Sequence, residues 1–159
     1  ETFNFSKLQS LDLMAFAYTG IREAVFSDKF SQLGISAFHH CKNLQAVDMK
    51  TCTIQEIPYQ CFCYCKELKN VQLPQDVTAF DNSCFLRANL NKLTINTGTY
   101  VDNNAFSKSF ISELVFTDDT NHLMKTAVHP LAFEDAKVGK LVIPDHMYDR
   151  FKDAIDKIQ

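Results

Sequence analysis

A small residue followed by Phe recurs along this chain: Thr2-Phe3, Ala15-Phe16, Ala37-Phe38, Cys61-Phe62, Cys84-Phe85, Ala105-Phe106 and Ala132-Phe133. Successive intervals are 13, 22, 24, 23, 21 and 27 residues. All but the first fall in the range of about 20 to 29 residues in which one repeat makes one solenoid turn. No other feature narrows the fold as far, because a unit this short cannot bury its own apolar face and must stack on its neighbours.

The residues after each Phe convert a spacing into a structural period. Phe38 is followed by Cys41, Leu44, Val47 and Met49, and Phe62 by Cys65, Leu68, Val71 and Leu73. The other units follow a shorter pattern: Phe3 to Leu8, Leu11 and Leu13; Phe16 to Ile21, Ala24 and Phe26; Phe85 to Leu90, Leu93 and Ile95. Phe106 leads likewise to Ile111, Leu114 and Phe116, and Phe133 to Val138, Leu141 and Ile143. Five residues before each Phe, from the second unit on, stands an apolar column: Leu11, Leu33, Ile57, Phe80, Val101 and Val128. Pairs such as Leu11/Leu13, Val47/Met49, Val71/Leu73, Leu93/Ile95, Leu114/Phe116 and Leu141/Ile143 alternate with period two, which predicts one short, half-buried strand per unit. Units running in one direction pair those strands in parallel, about 4.8 Å apart, with the Phe rings stacked inside.

The segments "AFHHCKNLQAVDM", "CFCYCKELKNVQLPQDVTAFDNSCF" and "AFEDAKVGKLVIP" resemble the BspA-like, or Treponema-type, leucine-rich repeat over nearly the whole chain. The resemblance implies an α/β repeat solenoid: a right-handed leucine-rich-repeat superhelix with one short parallel strand per turn. Departures are Ala88, Ser109 and Ala136 where the repeat has Cys, and the short first interval.

Composition supports a single domain over 1–159, with repeats over about 1–144 and a closing helix over about 145–159. Four Gly and four Pro are too few for many Gly-turned hairpins or a disordered linker. A net charge of −3 gives no broad attraction for nucleic acid, and no apolar run is long enough for a transmembrane segment. The chain opens on Glu1 rather than Met, so a processed or truncated start is expected, which is compatible with a removed export signal.

Open solenoids expose a core face at each end. In "PDHMYDRFKDAIDKIQ" the residues Met147, Phe151, Ile155 and Ile158 recur at helical spacing, with Asp145 as the expected N-cap. This predicts a capping helix, and Asp149, Asp153 and Asp156 on its polar side argue against a membrane anchor. No such cap precedes the first unit: either Phe5 and its neighbours fold over that end or the chain is the C-terminal part of a longer array.

The repeat also gives the six cysteines addresses. Cys61 and Cys84 take the small slot before Phe, and Cys41 and Cys65 the inward slot three after it, so all four read as buried small residues. Cys52 and Cys63 have no such address and read as surface or bend thiols. Cys63 and His39 both follow a core Phe and should be neighbours in adjacent turns, which gives a remote alternative of a thiol or metal enzyme. Two ligands do not make a zinc site, however, and no orienting carboxylate or oxyanion hole accompanies the pair. In "TDDTNHLMKTAVHP", Asp118, Asp119 and His122 could ligate a cation, but the run matches no calcium loop and reads as a solvated bend. His129 and His146 read as isolated surface residues, and no nucleotide, hydrolase or protease motif is present, so the chain is expected to be no enzyme and to need no cofactor.

Recognition then falls to the outward strand residues, which vary without disturbing the core. The column is Asp12, Val25, Asp48, Gln72, Thr94, Val115 and Val142, flanked by Asn70, Lys92, Glu113 and Lys140. Its expected binding centre is Asp48, Gln72, Thr94 and Val115, facing a protein or surface glycan. The resemblance implies an exported module of the bacterial cell surface or a secreted protein, acting in adhesion or in host or matrix recognition. Unpaired cysteines favour the alternative of an intracellular protein-interaction scaffold.

Overall fold

The Phe residues of the repeat form one continuous column of rings through the molecule. In a computed structural model describing residues 2–120 and 125–159, Phe16, Phe38, Phe62, Phe85, Phe106 and Phe133 stack with centroids 5.8, 5.4, 5.1, 5.5 and 5.3 Å apart. Interplanar angles of 6 to 17° make the contacts near-parallel. From Phe38 onward every ring is fully buried. A ring that needs no hydrogen bond fits this position because it fills the turn's interior while its two faces serve the turns on either side.

Strands wrap this column in parallel ladders. On one side β1 (Thr2–Phe5), β2 (Glu23–Phe26), β3 (Ala46–Asp48) and β5 (Asn70–Gln72) form one sheet. The next turns continue that side as a second sheet of β7 (Asn89–Ile95), β9 (Phe110–Phe116) and β11 (Lys137–Val142). Their registers, Ala24↔Val47↔Val71 and Leu93↔Leu114↔Leu141, are the apolar columns of the repeat.

Each middle turn contributes a second strand rather than one. The pairs β4 (Glu56–Ile57), β6 (Ala79–Phe80), β8 (Tyr100–Val101) and β10 (Ala127–Val128) form a third parallel sheet. Its register Ile57↔Phe80↔Val101↔Val128 is the column five residues before Phe.

Between the short strand and the long one, the chain turns through the Phe itself. Residues two before and two after Phe have φ of 52 to 62°: Met14 and Tyr18, Ser36 and His40, Gln60 and Tyr64, Ser83 and Arg87, Asn104 and Lys108. Asp135 occupies the later position in the Phe133 turn. An L-residue in this left-handed region costs about 1–2 kcal/mol. The strain is offset by backbone bonds that run from turn to turn. Phe38 N–H donates to Cys61 O at 2.9 Å, Phe62 to Cys84 O at 2.8 Å, and Phe85 to Ala105 O at 2.8 Å. Tyr18, His40, Tyr64, Arg87 and Lys108 donate likewise to the following turn, at 2.8 to 3.0 Å. The intervening amides bond back within their own turn, Cys63 N–H to Gln60 O and Cys65 N–H to Phe62 O, both at 3.2 Å. Alternate N–H groups therefore build the turn and stack it.

The first unit departs from the expected alignment. Phe3 is a strand residue opposite Ala24, with Phe5 opposite Phe26, so Thr2-Phe3 is not a turn of the Phe column and the 13-residue interval is not a repeat. Leu11/Leu13 is no strand: Leu11 is buried at the short-strand position beside Gln32, whose neighbour Ser10 makes a bridge, while Leu13 is exposed. Period-two spacing misled here because Leu11 belongs to a different side of the turn. Gly34 belongs to the same tight corner, where an added Cβ would sit 2.2 Å from the Asp12 carbonyl oxygen.

At the other end, α1 (Asp145–Arg150) and α2 (Lys152–Ile155) close the core with Met147, Phe151, Ala154 and Ile155 buried. The helix starts from Pro144 rather than from an Asp145 cap: Pro144 stands at the N-cap in extended conformation, and Asp145 is the first helical residue, its carboxylate in the first turn.

The left-handed turns yield a direct test at the exposed Lys108. Lys108→Gly should leave the thermal midpoint unchanged or raise it. Lys108→Val, with a β-branched chain at φ 55°, should destabilise by about 1–2 kcal/mol in urea unfolding.

Candidate functional site

The outward strand column is assembled in two segments by the registers of the two long-strand sheets. Val25, Asp48 and Gln72 face out side by side in one sheet, and Thr94, Val115 and Val142 in the other. Position one of the column is Asn4, opposite Val25, and not Asp12, which lies before the first Phe turn. Beside the column, Glu113 receives Lys92 at 3.0 Å and Lys140 at 2.9 Å, one acidic residue held between two basic ones on successive strands. The two ammonium groups hold its carboxyl below the ordinary carboxylate range. Asn91 Nδ2 donates to Asn70 Oδ1 at 2.9 Å and carries the polar edge across to β5.

Midway along this row the sheet is interrupted. Asn91 N–H still reaches Lys69 O at 2.9 Å, but β5 and β7 then diverge and no ladder joins them. Pro74, which has no N–H to donate, follows directly after Leu73. A cleft opens at this break, floored by Val71, Leu73 and Leu93 and rimmed by Lys92 and Thr94. Val71 and Leu73 are half-buried, whereas the equivalent Val47 and Met49 one turn earlier are fully buried. Apolar floor with a polar rim is the usual composition of a binding cleft. The expected centre, Asp48, Gln72, Thr94 and Val115, thus straddles the break, with Asp48 and Gln72 on one side and Thr94 and Val115 on the other.

The thiols carry no such site. All six cysteines are unpaired and buried, including Cys52 and Cys63, which were expected at the surface. Cys63 lies outside the Phe core and is covered by neighbouring turns, with Arg87 among the groups beside it. Cys52 is held by its Sγ donating to Ser27 O at 3.3 Å. Burial pushes the Cys63 thiol up to about 12, and burial with Asp48 and Asp28 nearby pushes Cys52 to about 11. Buried thiols held protonated at neutral pH give no support to the enzyme reading centred on Cys63. His39 is a turn-neighbour as expected, with His40 N–H bonded to Cys63 O, but its ring packs among Tyr18, His40 and Tyr64. Cys41 and Cys65 keep the inward slot, their Sγ atoms donating to Phe16 O and Phe38 O at 3.0 and 3.1 Å. Ser109 in the same slot donates instead to a carbonyl of its own turn, Phe106 O at 2.6 Å.

Asp118 is exposed, as expected of a solvated bend, but Asp119 departs from that expectation. Asp119 is fully buried, its carboxylate accepting from Arg150 Nη2 at 2.5 Å and from Thr126 N–H at 3.0 Å, with His146 Nε2 at 3.3 Å. His146 is not isolated, since it also lies 3.6 Å from Asp118, whereas His129 caps its own bend by accepting from Leu131 N–H at 3.1 Å. Asp118, Asp119 and His146 have ligand atoms within 4.8 Å of one another, but the buried carboxylate already holds a guanidinium. The cluster ties the closing helix to the residues that follow β9. His122 lies outside the described residues. Neither the Asp119–Arg150 pair nor the sheet break was foreseen, because the partners are 31 residues apart and share no repeat column.

With this geometry in view, the family follows. A family model described as the BspA type leucine rich repeat region matches six copies over residues 9–129, and the chain belongs to that family. Such repeats form protein-interaction modules, and their solenoids are typically binding scaffolds rather than enzymes. No curated protein matches the sequence closely enough to stand as a relative. Among the described residues no helix is long and apolar enough to cross a membrane.

Two measurements check these assignments. Native protein should react negligibly with a thiol reagent such as dithionitrobenzoate, and denatured protein should release six equivalents. Arg150→Ala should destabilise by about 2–3 kcal/mol, below the full cost of unpairing a buried charge because the guanidinium is partly solvated. Although burial alone would raise Asp119, Arg150, the Thr126 amide and His146 outweigh it and hold the carboxyl well below its ordinary 3.8. A depressed folded value means the contribution is complete above about 4 and is lost as acid titrates the folded carboxyl, so the gap between wild type and variant should narrow below that pH.

Proposed function

We propose that this chain is a non-enzymatic recognition module of a bacterial cell-surface or secreted protein, its repeats and closing helix acting as one unit. It would engage a protein or surface glycan across the strand column centred on Asp48, Gln72, Thr94 and Val115. The observation that carries this reading is the cleft at the β5/β7 break, where an apolar floor opens in the middle of that row. Export and adhesion rest on the family, whose members are typically surface or secreted proteins. An intracellular scaffold is favoured by the six unpaired cysteines. Their burial weakens that argument, since inaccessible thiols with raised pKa values resist oxidation in either compartment.

The test is solid-phase binding of the intact chain to purified extracellular-matrix proteins. Gln72→Arg with Thr94→Arg should lower the binding at least about tenfold, the loss expected when charges enter a central contact. Glu56→Arg, on the short-strand sheet, should leave it unchanged. Absence of matrix binding would remove the adhesion reading, and an unaffected double variant would move the interface elsewhere.

A further inference from the structure

A second surface lies on the turn side, built from the side chains two residues after each core Phe. Tyr18, His40 and Tyr64 stack there as a second, external column, with centroids 5.1 and 4.4 Å apart and interplanar angles of 11 and 14°. Arg87 continues the row with its guanidinium carbon 5.4 Å from the Tyr64 ring centre, and Lys108 follows on the next turn. Lys42 and Lys66 flank it: one hollow is lined by His40, Lys42, Tyr64, Lys66 and Glu67, and the adjoining one by Lys66, Arg87, Asn89 and Lys108. Lys42 and Lys66 are close enough to His40 to add to burial in lowering its pKa. Four full positive charges thus line one edge of a chain whose net charge is −3, against the single carboxylate of Glu67 in these hollows.

The arrangement selects among anionic partners. The faces of His40 and Tyr64 are covered by their neighbours and by Arg87, which leaves Tyr18 as the one open ring of this column, whereas single-stranded nucleic acid uses successive open platforms. Successive turns each place one cation about 4.8 Å further along this edge, Lys42 and Lys66 beside the ring column and Arg87 and Lys108 within it, whereas acidic side chains on one side of an extended peptide recur every 6.8 Å or so. A pyranose residue advances its chain by about the same distance as one turn advances the solenoid, and sulfate groups supply the charge density that a row of Lys and Arg complements. We propose that this edge binds a linear sulfated polysaccharide, with Lys42, Lys66, Arg87 and Lys108 contacting sulfates and the Tyr64 ring holding the Arg87 guanidinium in place. The site is separate from the strand column, so it stands or falls independently of the function proposed above.

The experiment uses the intact chain with heparin as the probe, beside desulfated heparin, a single-stranded oligonucleotide and polyglutamate. Heparin should bind most tightly. Lys66→Gln with Arg87→Gln should weaken it by about tenfold or more and flatten the salt dependence of the affinity in proportion to the two charges removed. Lys42→Gln with Lys66→Gln leaves the Arg87–Tyr64 contact in place and should weaken binding comparably, which guards against a folding defect in the first variant. Lys92→Gln with Lys140→Gln, on the strand side, should bind like wild type. Equal or tighter binding of desulfated heparin, the oligonucleotide or polyglutamate would overturn the proposal, as would heparin affinity unchanged in both turn-side variants.

Discussion

Everything in this structure depends on how one turn lies on the next at the Phe column. There the ring stack and the turn-to-turn amide bonds act on the same residues: Phe62 packs on Phe38 and Phe85 while its N–H reaches Cys84 O. Neither would hold alone. The stacking is nondirectional and would allow slippage, whereas the backbone bonds set the register and require each turn to enter left-handed conformations that are unfavourable in isolation. Together they keep the spine continuous across the point where the long-strand sheet breaks, so the solenoid passes from β5 to β7 without losing its core.

The repeat was readable because its information is redundant. A Phe every 21 to 27 residues, with apolar partners at fixed offsets, places the same side chain on the same side in turn after turn, and the Leu93↔Leu114↔Leu141 register repeats what the spacing predicts. The failures fall where redundancy ends. At Thr2-Phe3 and Leu11/Leu13 the 13-residue interval matches no other unit, and local period-two spacing matched the wrong side. Cys63 was misplaced for a different reason: it has no core address, and its burial comes from the side chains of adjacent turns that cover it, which its position in the repeat does not announce.

The candidate site was legible only in part. Side-chain alternation placed Asp48, Gln72, Thr94 and Val115 in one row, but the cleft between them arises from two strands that fail to pair. The loss of a ladder is a property of backbone paths, and the proline at 74 is its only trace in the residues. Asp119 and Arg150 are similarly silent in the sequence, since one belongs to an irregular loop and the other to the polar side of a helix, and only the closure of the core brings them together.

The left-handed turns have one further consequence. Glycine would suit those positions better on conformational grounds, yet eleven of them are occupied by residues that carry a side chain. Each such residue trades backbone ease for display. Its Cβ projects from a rigid, hydrogen-bonded corner, so the outer rim of the solenoid becomes a ruler whose markings can be rewritten one turn at a time while the core beneath stays the same. Tyr18, His40, Tyr64, Arg87 and Lys108 are one such inscription.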